Sequence, residues 1–460
     1  MVIASAPPKA LYRPPAPEPV SLRWLFFRSL FSRRSDVLHY VPEPAFDALF
    51  VRVPMSRRPL YLVNNPAVIR EIMVDRIDDF PKSDILTDAL RALVGDSIFT
   101  VSGETWRHQH RMIDQVFSKL RLRDTFGVMQ TAIAEYVARL DQRVGDTIEI
   151  DTEMAYVTAD VIFRTMFSRP ITDGEATEIF NEFTVYQASL PHMTGRALYA
   201  SKPHAVQKLP TRGIEAATRI RRIIARLVDE RVSGRVVEDD ICQIIATCRD
   251  PDTGAAFTVT EMVDQVAFFF LAGHETSASA LTWALLCLSQ DTRYADRIVE
   301  EVHAECGDGP IGFDSRTKLR TTNAVFREAL RLYPPVSFIS RTALRDVTVQ
   351  GREIPKDSVM ILAPWIVQRH RRFWDHPDHF DPDRFDREGG TEAPPGAWFP
   401  FGAGPRVCTG AAFATMEAVL VLGTLTRRYR IEPVAPHRIR PTSRLTVRPE
   451  DRIIARLSLR

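Results

Sequence analysis

The chain is poor in the features by which composition alone betrays a function. Its five cysteines (Cys242, Cys248, Cys287, Cys306 and Cys408) are odd in number and form no Cys-x-x-Cys pair. That excludes a disulfide framework and a zinc site of the usual spacing, and it fits a reducing, cytoplasmic setting. Charge of one sign is missing as well: 60 Lys and Arg against 58 Asp and Glu leave only +2, which argues against a dedicated nucleic-acid binder. The first twenty residues, MVIASAPPKALYRPPAPEPV, lack the charged start and apolar core of a secretory signal and read as an extended, Pro-rich stretch. Strand signals are few, and neither an internal repeat nor a flexible interdomain linker is evident.

What is present is a sizeable core, since 45% of residues are hydrophobic and 26% charged. Residues 21–34, SLRWLFFRSLFSRR, interleave Trp24, Leu25, Phe26, Phe27, Leu30 and Phe31 with Arg23, Arg28, Arg33 and Arg34. This basic amphipathic segment is too short and too charged to span a bilayer. It is expected to pack on the body of the protein, with weak contact to a membrane surface as the alternative. We divide the chain into this N-terminal segment, 1–36, and a single domain, 37–460.

ALFVRV and PLYLVN (48–53 and 59–64) read as a hairpin, and DVTVQGREIPKDSVMILAPW (346–365) as a second strand-rich patch. The two must meet in space if they form one sheet. Nearly everything else has helical period: Asn65 and Pro66 open one helix as cap and first-turn proline, and IEAATRIRRIIARLVDERVS (214–233) carries apolar residues at helical spacing. The expected fold is one mostly α domain with a small β region. Residues 370–400, rich in Pro, Gly and Asp, form a long aperiodic stretch of the kind that is usually functional.

Four places carry chemistry. EMVDQVAFFFLAGHETSASALTWALLCLSQ (261–290) is apolar on every face, hence a helix through the core, but AGHETS interrupts it with Gly273, Glu275 and Thr276. Gly273 suits a close helix crossing, Thr276 can bond back to the preceding turn, and a hydroxyl beside a carboxylate can bind a small polar molecule and deliver protons. Glu328 and Arg331 lie three apart on one helical face, and Arg384 in DPDRF could join them in a buried network that fixes a loop. The stretch FGAGPRVCTG (401–410) surrounds one thiol with Gly402, Gly404, Gly410 and Pro405. Such a loop leaves room for something bulky and offers N–H groups to an anionic sulfur, as a nucleophile or a metal ligand requires. A single thiolate as sole protein ligand suits haem iron. The other four cysteines read as small buried apolar residues.

FGAGPRVCTG resembles the haem-binding loop of the cytochrome P-450 family of haem-thiolate monooxygenases, soluble bacterial type. EALR (328–331), DPDRF (381–385) and AGHETS (272–277) are similar to that family's other signatures, in its order and approximate spacing. The resemblance implies the cytochrome P-450 fold and Cys408 as the iron ligand of haem b, with Phe401 in the same loop. It implies Thr276 and Glu275 as the dioxygen-facing hydroxyl and its proton source, and Trp106, His110, Arg341, Arg406 and Lys82 as propionate partners. It places the substrate pocket on Ile85, Leu86, Val94, Ile98, Phe268, Phe269, Ala272, Val336, Phe338 and Ile339. That lining is apolar, so a hydrophobic small molecule is the expected substrate for hydroxylation or epoxidation by O2. No dinucleotide or flavin fingerprint is present, so electrons from NAD(P)H are expected through a separate ferredoxin and its reductase. Arg107, Lys119, Arg121 and Arg123 are candidates for the docking face of such a partner. A monomer without nucleic-acid partners is expected. A peroxide-driven haem enzyme and a haem-binding sensor are the alternatives; retention of Glu275 and Thr276 speaks against both. One departure from the family is Thr409, where an apolar residue usually follows the cysteine; its hydroxyl is read either as tuning the sulfur or as capping the next helix.

Overall fold

The computed structural model of the chain describes residues 11–21, 36–53, 58–119, 122–190, 209–386 and 393–460. Residues 22–35, and with them nearly all of the basic amphipathic segment, lie outside these, as do residues 54–57. Ahead of that segment, residues 11–19 of the Pro-rich stretch form no helix or strand and are docked: the Tyr333 hydroxyl donates to the Pro15 carbonyl at 2.7 Å, and Phe380 N–H to that of Tyr12 at 2.9 Å.

Helices dominate. Asn65 caps α1 (Pro66–Arg70), accepting the Ala67 N–H at 3.0 Å, with Pro66 in the first turn. There follow α2 (Asp84–Val94), α3 (Gly103–Lys119), α4 (Leu122–Asp141), α5 (Ile150–Phe167), α6 (Gly174–Ser189), α7 (Thr211–Val232) and α8 (Ile241–Thr247). The central helix α9 (Val259–Gln290) is succeeded by α10 (Thr292–Cys306), α11 (Arg320–Leu332) and α12 (Ala411–Arg428). The strands are β1 (Phe50–Val53), β2 (Leu60–Val63), β3 (Thr147–Glu149), β4 (Ile339–Thr342), β5 (Val347–Val349), β6 (Arg352–Ile354), β7 (Val359–Leu362), β8 (Tyr429–Pro433), β9 (Pro441–Ser443), β10 (Val447–Pro449) and β11 (Ile454–Leu459).

The two β patches do meet. In the order β1-β2-β7-β4, β2 runs parallel to β7 with Leu60 opposite Val359, and β4 runs antiparallel to β7 with Arg341 opposite Met360. Strands β5 and β6 form a hairpin of their own, as do β9 and β10, while β3, β11 and β8 make a third small sheet.

At 32 residues α9 runs roughly 48 Å through the core. A capping box starts it: Thr258 Oγ1 accepts the Glu261 N–H at 3.2 Å, and Glu261 Oε2 accepts the Thr258 N–H at 2.8 Å. Midway, α5 crosses it closely at Gly273, where a Cβ would lie 2.6 Å from Ile162 Cδ1. Thr158 Oγ1 on α5 donates to the His274 carbonyl there at 3.1 Å. The glycine in this otherwise well-formed helix is thus explained by a close approach.

Candidate functional site

Cys408 lies between a short turn, Gly404–Arg406, and the start of α12. Its N–H donates to the Phe401 carbonyl at 2.9 Å, closing the loop on itself, and the Phe401 ring packs edge-on to Trp398. Gly404 adopts φ +69°, and a Cβ there would stand 2.4 Å from the Met73 carbonyl oxygen, so no other residue fits without moving backbone. Protein around the thiol desolvates it and pushes its pKa up, while the Gly410 N–H works in the opposite direction. Cys408 is nevertheless exposed by area, unlike Cys242, Cys248 and Cys287, which are buried, and Cys306, which is half-buried. Burial drives the Cys242 thiol up to about 12 and the Cys287 thiol further in the same direction. Thr409 is exposed and does not cap α12, whose N-cap is Gly410 without a side-chain bond.

Three cations converge near this loop. Lys82 pairs backbone to backbone with Arg341 of β4, and its Nζ donates to the carbonyls of Ile98 at 2.6 Å and Val101 at 3.1 Å. Arg406 lays its guanidinium over the Trp106 ring, 4.9 Å from the centroid, and leaves Nε and Nη1 buried without a partner. Burial, and then the charge of Arg406, pushes Lys82 well below its ordinary pKa and Arg341 down to about 9, with Arg341 bearing on Lys82 as well. Burial likewise takes Arg406 down to about 10. Among the described residues no carboxylate pairs with any of them. Asp78, the acid whose field Arg406 feels, is engaged by Arg107 at 2.5 Å. Buried cations without counter-charge are costly unless an anion completes them. On α3, Trp106 and His110 lie one turn apart with their rings tilted by 54° and 4.7 Å between centroids, and His110 Nδ1 meets Asp114 at 2.8 Å.

Behind the loop, Glu328 and Arg331 are fully buried and joined by two bonds of 2.7 Å. Arg384 adds a third contact to Glu328 at 3.2 Å, and Asp381 N–H a fourth at 2.9 Å. Arg331 also donates to the carbonyls of Gln368, Pro377 and His379, and Arg384 to those of Asp375 and His376. Four carbonyls of the aperiodic stretch, and that of Gln368 just ahead of it, are thereby fastened to one carboxylate's partners.

On α9 the partly exposed Phe268, Ala272 and Thr276 follow one another at four-residue spacing along a helix that is otherwise buried at its centre. Thr276 Oγ1 donates to the Ala272 carbonyl at 2.7 Å. Glu275 is buried and bound by Arg448, Thr446 and Gln187. His274 lies among Phe180, Phe183 and Phe270, where burial holds it neutral with a pKa of about 3.

A family model described as "Cytochrome P450" matches residues 14–456. The chain is a cytochrome P450. Cyclooctatin synthase of Streptomyces melanosporofaciens is 29% identical over 418 residues, covering 90% of this chain and 89% of that one. Pentalenene oxygenase of Streptomyces avermitilis is 28% identical over 432 residues, covering 92% and 93%. The haem domain of cytochrome P450DA superposes with a TM-score of 0.78 at 21% identity, over 98% of this chain and 99% of that one, a likeness of fold. As a cytochrome P450 the protein is an oxidoreductase of the monooxygenase type, and its family's chemistry rests on haem iron and O2. The residues present fit that group. Haem carries two propionates, which would complete Lys82, Arg341 and Arg406, and an iron that the exposed thiol of Cys408 can meet.

Not every residue expected in the P450 substrate pocket takes part in the accessible stripe. Val336, Phe338 and Ile339 are partly exposed while Ser337 between them is buried against Ser443; Ile98 is nearly buried. Val94 is packed in the core, and Phe269 is buried between Phe268 and Phe117, its ring centroid 5.1 and 5.4 Å from theirs. The side chains of Ile85, Leu86 and Lys119, and Arg121 as a whole, lie outside the described residues. Arg107 and Arg123 already pair with Asp78 and Asp314, at 2.5 and 3.3 Å.

Several residues of the P450 site carry no local signal in the sequence. Gln368 donates to the Leu330 and Arg331 carbonyls and accepts the Phe399 N–H at 3.0 Å, tying α11 to the run-in of the thiol loop. Glu417 on α12 is buried beside Ser277 of α9, with both carboxyl oxygens unpartnered. Burial raises its pKa to about 8. The folded state therefore keeps a proton that the unfolded chain releases above its ordinary value of about 4.3, so stability falls with pH across that window, by up to ~1.4 kcal/mol per unit. Glu417→Gln should remove this slope. Its advantage over the parent should be near zero at about pH 4 and grow to a few kcal/mol by about pH 8. Urea midpoints of both proteins measured over that range test this, and parallel curves would refute it.

Proposed function

We propose that this P450 inserts one atom of O2 into a C–H or C=C bond of a hydrophobic small molecule, with a terpene-like ring skeleton as the first class to try. The stripe of Phe268, Ala272 and Thr276, with Val336, Phe338 and Ile339, supports an apolar substrate. Relatives named pentalenene oxygenase and cyclooctat-9-en-7-ol 5-monooxygenase support the ring-hydrocarbon class. Haem b, when bound, supplies the oxygen-activating chemistry, and thiolate ligation by Cys408 favours O–O cleavage. Lys82, Arg341 and Arg406, with Trp106 and His110, bind and orient its propionates. Thr276 keeps its lone pairs free to accept a proton's hydrogen bond while its own hydrogen rests on Ala272. Electrons come from NAD(P)H through a separate ferredoxin and its reductase. The protein works as a cytoplasmic monomer; among the described residues no helix is long and apolar enough to cross a membrane.

The observation that carries this reading is the set of cations beside an accessible thiol, Arg341 buried and Lys82 and Arg406 half-buried, that no acid among the described residues pairs with. The test is the spectrum of the reduced, carbon-monoxide-bound protein. The parent should show the red-shifted Soret band of thiolate ligation and Cys408→Ala should not. A parent lacking that band would end the proposal.

A further inference from the structure

A carboxylate offers about four lone-pair positions on its two oxygens, and at Glu275 all four are taken. Oε1 accepts Thr446 Oγ1 and Arg448 Nε, both at 2.6 Å; Oε2 accepts Arg448 Nη2 and Gln187 Nε2. These donors come from two places remote in sequence. Gln187 lies near the end of α6, while Thr446 and Arg448 belong to the β9–β10 hairpin. The hairpin is seated on the same helix: Ser279 Oγ and Trp283 Nε1 of α9 both donate to the Val447 carbonyl, at 2.6 and 2.7 Å. The Arg448 side chain is 23% exposed and the Glu275 side chain 2%, so the guanidinium closes the carboxylate off from solvent.

In this geometry Glu275 has no lone pair left with which to take or pass a proton. Among the described residues the only charged group bonded to it is the Arg448 guanidinium, and the neighbouring His274 is neutral. We propose that Arg448 is a positioning residue for the P450 reaction. With Thr446 and Gln187 it clamps Glu275, ties the end of α6 and the C-terminal hairpin to the middle of α9, and lets the carboxylate exchange a proton only when that clamp opens. Closure over the accessible stripe of α9 and proton supply to Thr276 are then one event rather than two. The inference rests on the haem-binding reading but not on the substrate class.

The test uses the haem-loaded enzyme and its Arg448→Met, Arg448→Lys and Gln187→Leu variants, each first checked for the carbon-monoxide band. If the parent itself lacks the band, the haem reading fails; if it is present, three measurements judge the clamp. Amide hydrogen exchange followed by mass spectrometry should quicken at the end of α6 in Arg448→Met, far in sequence from the substitution. Release of the haem-ligating probe 4-phenylimidazole should speed up by about tenfold, the kinetic equivalent of a clamp that opens ten times more readily. The solvent deuterium isotope effect on NADPH oxidation, with a surrogate ferredoxin and reductase, should rise because a proton-insensitive opening no longer precedes proton transfer. Arg448→Lys, which keeps the charge and one hydrogen bond, should recover part of each. Exchange at α6, probe release and isotope effect all unchanged in Arg448→Met would overturn the proposal, whatever the melting temperature does. Should Arg448→Met not accumulate with haem, Gln187→Leu decides: faster release and faster exchange at the end of α6 support the clamp, and parent values refute it.

Discussion

Glu328→Gln is expected to yield no haem-loaded enzyme. The substitution is nearly isosteric, so it creates no cavity; what it removes is the charge that compensates Arg331 and Arg384. Arg331 is fully buried, and Arg384 nearly so. Taking one partner from a buried ion pair costs about 3–5 kcal/mol, because the remaining charge is left in a poorly solvating interior. That is a large part of the 5–15 kcal/mol that typically holds a domain together. The loss also falls where it does most harm. The guanidinium groups of Arg331 and Arg384 hold the carbonyls of residues 368–379, and Gln368 in turn holds Phe399 just ahead of the thiol loop. Loosening this stretch releases the loop that carries Cys408, so cofactor and fold are lost together. The measurement is the Soret absorbance per mole of soluble protein, with far-ultraviolet circular dichroism to separate misfolding from simple haem loss. Arg384→Met should be milder, since it removes one contact to Glu328, of 3.2 Å, and two carbonyl bonds but leaves the doubly bonded pair. A Glu328→Gln protein with full haem content and the parent's melting temperature would refute this account.

How far the sequence disclosed the molecule follows from the range of the interactions. Glu328 and Arg331 were legible because they lie on one helical face, and Arg384 because it stands in a recognisable segment. The central helix was legible from its continuous apolar content. The neighbouring β patches were legible as patches, though only the structure shows β2 and β7 running parallel. Gln368, Thr446 and Arg448 were not legible, since each acts on a partner far along the chain through an ordinary polar side chain. Glu417 was missed because one glutamate in an apolar helix reads as a solvated position until α9 is seen covering it. Phe269 was placed in the pocket for its neighbourhood, yet helical geometry speaks for Phe268, Ala272 and Thr276 at four-residue spacing and turns the intervening residue about 100° away.

The same geometry predicts that Arg341→Met changes sign between the haem-free and haem-loaded protein. Without cofactor, Arg341 is a buried cation with no acid to pair with, next to Lys82 and Arg406. Its pKa is depressed to about 9. Below that pH the folded state bears the full penalty of the buried charge, and between about 9 and the ordinary arginine value stability would rise with pH as the folded state sheds the proton first. At neutral pH, therefore, Arg341→Met should stabilise the haem-free protein, by an amount on the order of a few kcal/mol. With haem present the balance reverses, because the substitution deletes a charge-assisted bond to a propionate worth about 1.5–3 kcal/mol. Haem should then dissociate about 10–100 times more readily. Thermal midpoints of haem-depleted and reconstituted samples, with haem transfer to apomyoglobin as the measure of release, give both halves of the comparison. If the substitution destabilised both forms alike, Arg341 would be an ordinary packing residue of β4. Opposite signs require that an anion from outside the chain completes it, and Arg406→Met, bearing on the same anion from the thiol loop, should repeat the reversal.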